Sequence, residues 1–365
     1  MRNILILADL GSPLMFNRIS ILKDLPYKKY ILHNANNVVL SQEVYESYKG
    51  FIILEHPKIK NVKCRYLYSF FYTLFLLIKL NPKLIVVHWA SRLYQNILLA
   101  LWGKRVIVHT MGGEINTEED CYGKKRYFTG ILFKNARVIT GKTKVMLAIL
   151  RKNFPFVKKE KLQEVSWGVE KRFFEKISKD EQINLQDELL NQHFDFLFFS
   201  IRTFKRVHFQ KEIIKAFVDS YGEQKNIGLL VSLQECDEGY LQECKDELGL
   251  DRYLNIVFYR VSHHKMHKYL QAVDCVISYK LCDGISQSLM ESVASNRWII
   301  TKELINHSML LGHKHNAYLI DSLDELKGAF TYVQNHKVEK SYNSLLDIDA
   351  QRKKYLEILK ENFDV

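Results

Sequence analysis

Proline and glycine are scarce in this chain, 5 and 16 of 365 residues, and no stretch is dominated by them, which excludes low-complexity and linker-rich architectures. Cysteine is equally sparse: Cys64, Cys121, Cys236, Cys244, Cys275 and Cys282 include no C-x-x-C pair. The opening MRNILILADLG runs from a charged start straight into a strand with no cleavable apolar core. Together these read as a reduced, cytoplasmic protein. Long apolar runs are missing too, because the longest, YLYSFFYTLFLLIKL at residues 66–80, falls short of the roughly 20 residues that a spanning helix needs. Flanked by Lys60, Lys63, Arg65 and Lys83, it is expected to be a buried helix whose aromatic content also suits an interfacial position. Acidic residues are outnumbered, 41 against 53 basic, for a net charge of +12. Such an excess favours anionic partners: phosphorylated small molecules, anionic lipid surfaces or nucleic acid.

What the chain has in quantity is short apolar runs, in a composition that is globular at 47% hydrophobic and 12% aromatic residues. Its length suffices for two α/β domains. The runs NILILA, KYILH, GFIILE, KLIVVHW, RVIVHT, ARVIT and LQEVS fill the first half, with helical patterns such as 93–102 and 142–153 between several of them. Continuous apolar strands separated by helices predict parallel strands covered on both faces, hence a doubly wound α/β domain. Charged residues then dominate over 168–194, where no strand can be drawn. DFLFFSI, NIGLLVS, LNIVFY, DCVISY, RWIIT and NAYLID follow, alternating with helical segments at 209–221, 237–249, 263–272, 286–295 and 322–335. The sequence thus predicts a first Rossmann-like domain over 1–168 and a second over 169–342. Residues 343–365 read as an amphipathic terminal helix with Leu345, Leu346, Ile348, Tyr355, Leu356 and Leu359 on its apolar side.

Ligands of open α/β sheets bind beyond the carboxyl ends of the strands, so candidate residues are those just after strands. CDGISQSLMES follows the strand DCVISY. There Gly284 permits close backbone approach, the amides of Ile285, Ser286 and Gln287 would open a helix able to bind phosphate, and Glu291 lies further along it. Read alone, the stretch is equally a capped helix with Asp283 or Ser286 as N-cap and Glu291 facing solvent. In the first domain the candidate loops are DLGSPLMFNR with Gly11, Ser12 and Asn17, HWAS with His88 and Ser91, and GGEIN with Gly112, Gly113, Glu114 and Asn116. Each can also be a plain connection. His263 and His267 have the spacing of a metal pair but no third ligand nearby, so a solvated helix face is expected.

Taken together with FFSIRTFKRVHFQKEIIKAF upstream, the second half resembles the retaining GT-B glycosyltransferases, in the large family of bacterial mannosyl- and glucosyltransferases and sucrose synthases. The family's signature of a carboxylate, seven residues and a glutamate matches Asp283, Gly284 and Glu291. Arg202 matches its diphosphate-binding arginine, and Lys205 or Arg206 its lysine. ARVITGKTKVMLAIL, EVSWGVEKRFF, ECKDELGLDRYLNIVFYRVSHHKMHKYLQAVDCVISY and ASNRWIIT follow in the family's order. The resemblance spans residues 85–335 and reaches the first 80 only by layout. Asp283 stands for the usual glutamate, Ile201 for a glycine and Trp167 for an asparagine. VIVHTMGGEI puts Met111 at the family's histidine, leaving His109 two residues early as the candidate for that sugar-contacting, catalytic role.

The resemblance implies two Rossmann-like domains facing each other across a cleft, with the C-terminal helix a candidate to return to the first. It implies a retaining, metal-independent transfer of a hexose-type sugar from a nucleotide diphosphate sugar to a glycan acceptor in cell-surface polysaccharide, lipooligosaccharide or lipid-linked oligosaccharide synthesis. Glu291 would accept from ribose, Asp283 would hold the donor sugar, the first domain would carry the acceptor, and no cofactor is needed. Cations at Arg202 and Lys205 or Arg206 would meet charge developing on the departing diphosphate. The basic, aromatic-laced runs KNVKCRYLYSFFYTLFLLIKLNPK and KTKVMLAILRKNFPFVKKEK suit peripheral contact with an anionic membrane at its inner face, and no nucleic-acid motif accompanies them. Two other readings share the sequence: a sugar-nucleotide epimerase of the same architecture, and a non-catalytic binder of polyanions or membrane.

Overall fold

The computed structural model describes every residue except 1, 2, 13, 34–39, 57, 58, 91, 116–121, 262, 282, 283 and 340–342, and the side chains of 14 and 263. The expectations placed on Ser91, Asn116, Asp283 and the side chain of His263 therefore lie outside the described residues.

Each short apolar run read as a strand becomes one: β1 (Asn3–Ala8), β2 (Lys28–His33), β3 (Ile52–Glu55), β4 (Leu84–His88), β5 (Val106–His109), β6 (Val138–Gly141) and β7 (Leu162–Glu164), then β8 (Phe196–Ser200), β9 (Ile227–Ser232), β10 (Ile256–Tyr259), β11 (Cys275–Ile277), β12 (Trp298–Lys302) and β13 (Ala317–Ile320). The chain divides into two compact units, residues 1–168 with 349–365, and residues 169–348. Among the described residues, unit 1 holds a seven-stranded sheet in the order β3-β2-β1-β4-β5-β6-β7, and unit 2 a six-stranded sheet in the order β10-β9-β8-β11-β12-β13. Every pairing is parallel. Central strands such as β4 and β9 are buried at every residue, because helices cover both faces, and that is why they read as unbroken apolar runs rather than alternating ones.

In each sheet the winding reverses once, between β1 and β4 in unit 1 and between β8 and β11 in unit 2. At such a point the loops after the two strands diverge to opposite faces and leave a crevice at the strands' carboxyl ends.

The helix Val62–Leu80 departs from the buried helix expected of it. It turns Ser69, Thr73, Leu76, Leu77 and Leu80 inward and leaves Leu67, Phe71, Phe75 and Ile78 exposed. The neighbouring helix Gln95–Leu101 supplies the reason: Gln95 Nε2 donates to Thr73 Oγ1 at 2.9 Å and to the Ser69 carbonyl at 3.4 Å, so small polar residues occupy the contact. Among the described residues no helix is long and apolar enough to cross a membrane.

The terminal helix runs Ile348–Phe363 and packs on unit 1. Tyr355, Ile358, Leu359 and Phe363 join Ile4, Ile6 and Ala8 of β1 in one core, Gln351 accepts from the Ser166 amide at 3.0 Å, and Arg352 pairs with Asp24 at 3.0 Å. Leu345 and Leu346, expected on its apolar side, precede the helix instead, and Leu346 belongs to the core of unit 2.

Candidate functional site

In unit 2 the reversal between β8 and β11 places Arg202 and Ser278 together. Arg202 lies just past the end of β8 and donates from Nε to the Oγ of Ser278, just past β11, at 2.8 Å. Buried Gln210 fixes the turn beneath, donating to the Arg202 carbonyl at 2.9 Å and accepting from Ser200 Oγ at 2.6 Å. Thr301 Oγ1 in turn donates to the Ser278 carbonyl at 2.7 Å. The arginine is thus held over the crevice by a chain of satisfied groups.

The helix after β11 runs Gln287–Ala294, with Ser286 as N-cap accepting from the Leu289 amide at 3.2 Å. It starts later than the expected 285–287, because the Ser286 hydroxyl caps from an extended backbone. Of the three amides, Gln287 alone lies in the first turn. Gly284 is half-buried and Ile285 is buried in the lead-in. Glu291 is buried among Leu289, Met290 and Val293, so the solvent-facing alternative for it is overturned. Lys205 and Arg206 are engaged elsewhere: Lys205 Nζ pairs with Glu235 at 2.6 Å, while Arg206 grips Glu243 with both terminal nitrogens and lies 4.5 Å from the Tyr240 ring.

In unit 1 the loops after β1 and β4 flank the other reversal. Asp9 Oδ1 accepts from the Gly11 amide at 3.0 Å, the Asp9 carbonyl from the Ser12 amide at 3.2 Å, and His33 Nδ1 from the Leu10 amide at 3.1 Å. Asn17 is half-buried, its carbonyl accepting from Ser20 Oγ at 3.2 Å. His88 ends β4, its ring 4.8 Å from that of His109 and 6.1 Å from that of Trp167. Arg18 is buried, with its guanidinium 5.2 Å from the Trp167 ring and an amine against Met111 Sδ. Arg92 donates to the His88 carbonyl at 3.1 Å. Trp167 holds a left-handed backbone, φ 76°, rare for a bulky residue and characteristic of sites that surrounding packing over-determines.

Two expected residues turn out to be fully committed. His109 is buried with Nδ1 on Thr140 Oγ1 at 2.6 Å and Nε2 on the Tyr355 hydroxyl at 3.0 Å. Glu114 is buried with Oε1 accepting from Met111 at 2.9 Å and Ala90 at 3.4 Å, and Oε2 from Gly112 at 3.1 Å. It clamps the loop in which Gly112, at φ 124°, takes a conformation that favours glycine; Gly113 beside it is half-buried. Others have donors to spare. Among the described residues, neither ring nitrogen of His88, nor Arg18 Nη2, Arg92 Nε and Nη1, or His33 Nε2 has a hydrogen-bond partner.

Burial sets the charge states here. It pushes Arg18 and Arg92 down to about 10, against the pull of Glu114 and Asp9 respectively. Burial, then His109 and the arginines, hold His88 well below the ordinary imidazole range, and burial with Arg18 does the same to His109. Glu114 is raised by burial, opposed by the amides it accepts from. The floor of unit 1 is therefore two guanidiniums around neutral histidines, able to receive hydroxyls or an acidic group.

No family model matches the chain, and no curated protein matches it in sequence. Solved structures do match. A glycosyltransferase from Rickettsia africae ESF-5 is similar at TM-score 0.76 over 99% of this chain and 98% of that one, with 12% identity. HepE of Anabaena, solved with UDP and glucose, matches at 0.73 over 100% and 96%, with 12% identity. WaaG, a glycosyltransferase involved in lipopolysaccharide biosynthesis, matches at 0.70 over 99% and 96%, with 11% identity. The chain has the GT-B fold.

In this GT-B chain the sequence pointed to Arg202 and to the turn after β11 but missed Ser278 and Gln210, which hold the arginine. It missed Arg18, the last residue of DLGSPLMFNR, and Arg92, which directly follows HWAS; an arginine at the far end of a strand-end loop is the signal that finds them. The sequence singled out Trp167 and Tyr355, but nothing local announces that both meet His109.

Proposed function

We propose that this GT-B protein is a glycosyltransferase that holds a nucleotide diphosphate sugar on unit 2 and passes a hexose-type sugar, with retention and without a metal, to an acceptor held on unit 1. The acceptor is a glycan or lipid-linked glycan of cell-surface synthesis, met at the inner face of the membrane. One observation carries the donor side: Arg202 is fixed by Ser278 at the β8/β11 reversal, where a diphosphate would find a preset guanidinium. As the bond from the anomeric carbon to the phosphate oxygen breaks, the diphosphate takes the electron pair. Positive groups already in place stabilise that charge without reorganising. The acceptor hydroxyl bonds to the same face of the anomeric carbon and its proton goes to the departing phosphate oxygen.

Buried Glu291 would receive ribose hydroxyls and Asp283 those of the donor sugar. Lys205 and Arg206 would exchange their exposed pairings with Glu235 and Glu243 for phosphate oxygens. On unit 1 the spare donors of His88, Arg18 and Arg92 would face the acceptor, with His109 and Glu114 bracing them. UDP and glucose in HepE support UDP-glucose as the first donor to try.

The test is titration calorimetry with UDP-, GDP- and dTDP-sugars on the parent and on Glu291→Ala, followed by mass detection of transfer to membrane glycolipids. One donor should bind the parent and bind Glu291→Ala at least about tenfold more weakly. Absence of binding to every donor, or equal binding by the variant, overturns the reading. Conversion of a UDP-sugar to its epimer without acceptor would identify an epimerase instead.

A further inference from the structure

The helix Val62–Leu80 carries apolar side chains outward. Leu67, Phe71, Phe75 and Ile78 are 60%, 57%, 52% and 66% exposed, and steps of four, four and three residues put them on one stripe. At 1.5 Å per residue the stripe is on the order of 16 Å long. The exposed apolar surface continues sideways: Tyr66 meets Tyr94, Tyr94 meets Phe128, and Phe128 meets exposed Tyr127, with ring centroids 6.4, 5.0 and 5.4 Å apart. The three helices concerned, Val62–Leu80, Gln95–Leu101 and Gly123–Asn135, contain no aspartate or glutamate, whereas Lys63, Arg65, Lys79, Lys124, Lys125 and Arg126 lie on them.

Beside the C-terminal end of the long helix is a second feature. An open pocket of about 820 Å³ is lined by Leu101, Lys104, Arg105, Lys134, Arg137 and Lys161 among others, with no carboxylate among the described lining residues. Arg105 joins it to the helix end, donating from Nη1 to Asn81 Oδ1 at 2.6 Å and to the Pro82 carbonyl at 3.0 Å. Lys161 Nζ donates to the Lys134 carbonyl at 2.6 Å. Burial, with Lys158 adding, holds Lys161 below the ordinary lysine range. Five cations around one opening repel one another, and an anion would relieve them.

We propose that this face of unit 1 docks on an anionic lipid bilayer, with the stripe of Leu67, Phe71, Phe75 and Ile78 at the acyl boundary and headgroup phosphates in the basic pocket. The charges favour this occupant. A second copy of the chain would bring like cations together, while an anionic headgroup layer complements both the helices and the pocket. An apolar stripe alone gives weak attachment, and a basic site beside it supplies the second signal that stable peripheral binding needs. The proposal deepens the membrane side of the function above but does not depend on donor chemistry, so UDP binding measured on the same samples separates failure of one from failure of the other.

The full chain is floated with vesicles of phosphatidylcholine alone and with about a third phosphatidylglycerol. The parent should float with the anionic vesicles only, and less as salt is raised. Combined Leu67→Gln, Phe71→Gln, Phe75→Gln and Ile78→Gln should cut vesicle binding at least about tenfold. Lys104→Gln with Lys134→Gln and Arg137→Gln should abolish the preference for anionic vesicles. Both variants should keep the parent's UDP affinity, and Phe75→Glu alone serves if the fourfold variant does not fold. A parent that ignores anionic vesicles, or stripe variants that float as well as the parent, overturns the proposal. So does a parent dimer in sedimentation velocity that the stripe variants convert to monomer, because a second copy then covers the face.

Discussion

Arg202→Met removes the guanidinium from the β8/β11 crevice and keeps the bulk of the stem. A net charge-assisted hydrogen bond contributes about 1.5–3 kcal/mol, and the diphosphate must give up water to meet the guanidinium, so the expected loss is about 2–3 kcal/mol. That weakens UDP binding roughly 30- to 150-fold. Ser278→Ala asks a finer question, since the 2.8 Å bond from Arg202 Nε to Ser278 Oγ is what aims the arginine. Losing it should cost about 1 kcal/mol, or roughly fivefold in affinity. If Ser278 acts only through the arginine, the double variant binds UDP no worse than Arg202→Met alone, and the cycle shows full coupling. Calorimetric titration with UDP and UDP-glucose reads the affinities, and thermal melts by circular dichroism check that both variants are folded. Binding by Arg202→Met within twofold of the parent, or strictly additive losses in the double variant, refutes the reasoning.

Glu235→Gln removes the negative charge that pairs with the Lys205 ammonium at 2.6 Å and should tighten UDP binding by roughly two- to fivefold at low salt; unchanged affinity would put Lys205 outside the donor site. Tyr355→Phe strips His109 Nε2 of its buried partner, which should cost about 1–3 kcal/mol and lower the melting temperature by about 2–4 °C for each kcal/mol, read by calorimetry. An unchanged melt would show that the hydroxyl contributes nothing. His88 and His109 are neutral when folded, whereas the unfolded chain takes up their protons below about pH 6.5. The stability they contribute is therefore present above that pH and lost as pH falls. Between pH 6.5 and 5.5 the loss should be about 1 kcal/mol per histidine, measured by urea unfolding at both values; a flat profile would mean these rings are not held neutral.

The sheets were legible because a strand covered on both faces has no polar side to interrupt it, and NIGLLVS or KLIVVHW can hardly be read otherwise. Helix limits were close where a cap residue marks them, as Asp237 does before Glu238–Leu248. The exposed stripe of Val62–Leu80 was not legible, because apolar residues around most of a helix do not say which of them face inward. That was decided by Gln95 reaching Ser69 and Thr73, a contact between helices with no local signature. Lys205 and Arg206 were visible as cations, but not that Glu235 and Glu243, 30 and 37 residues further on, would answer them. Distance along the chain likewise hid the Tyr355 hydroxyl from His109.

Unit 1 is assembled from two pieces of chain, residues 1–168 and 349–365, with the whole of unit 2 lying between them in sequence. During synthesis, β5 leaves the ribosome with His109 lacking the hydroxyl that will satisfy it, because Tyr355 is 246 residues away. At ribosomal rates that interval is on the order of tens of seconds, long enough for all of unit 2 to emerge and fold in the meantime. The second unit can thus be complete before the first, which waits for the helix Ile348–Phe363 to fill its core.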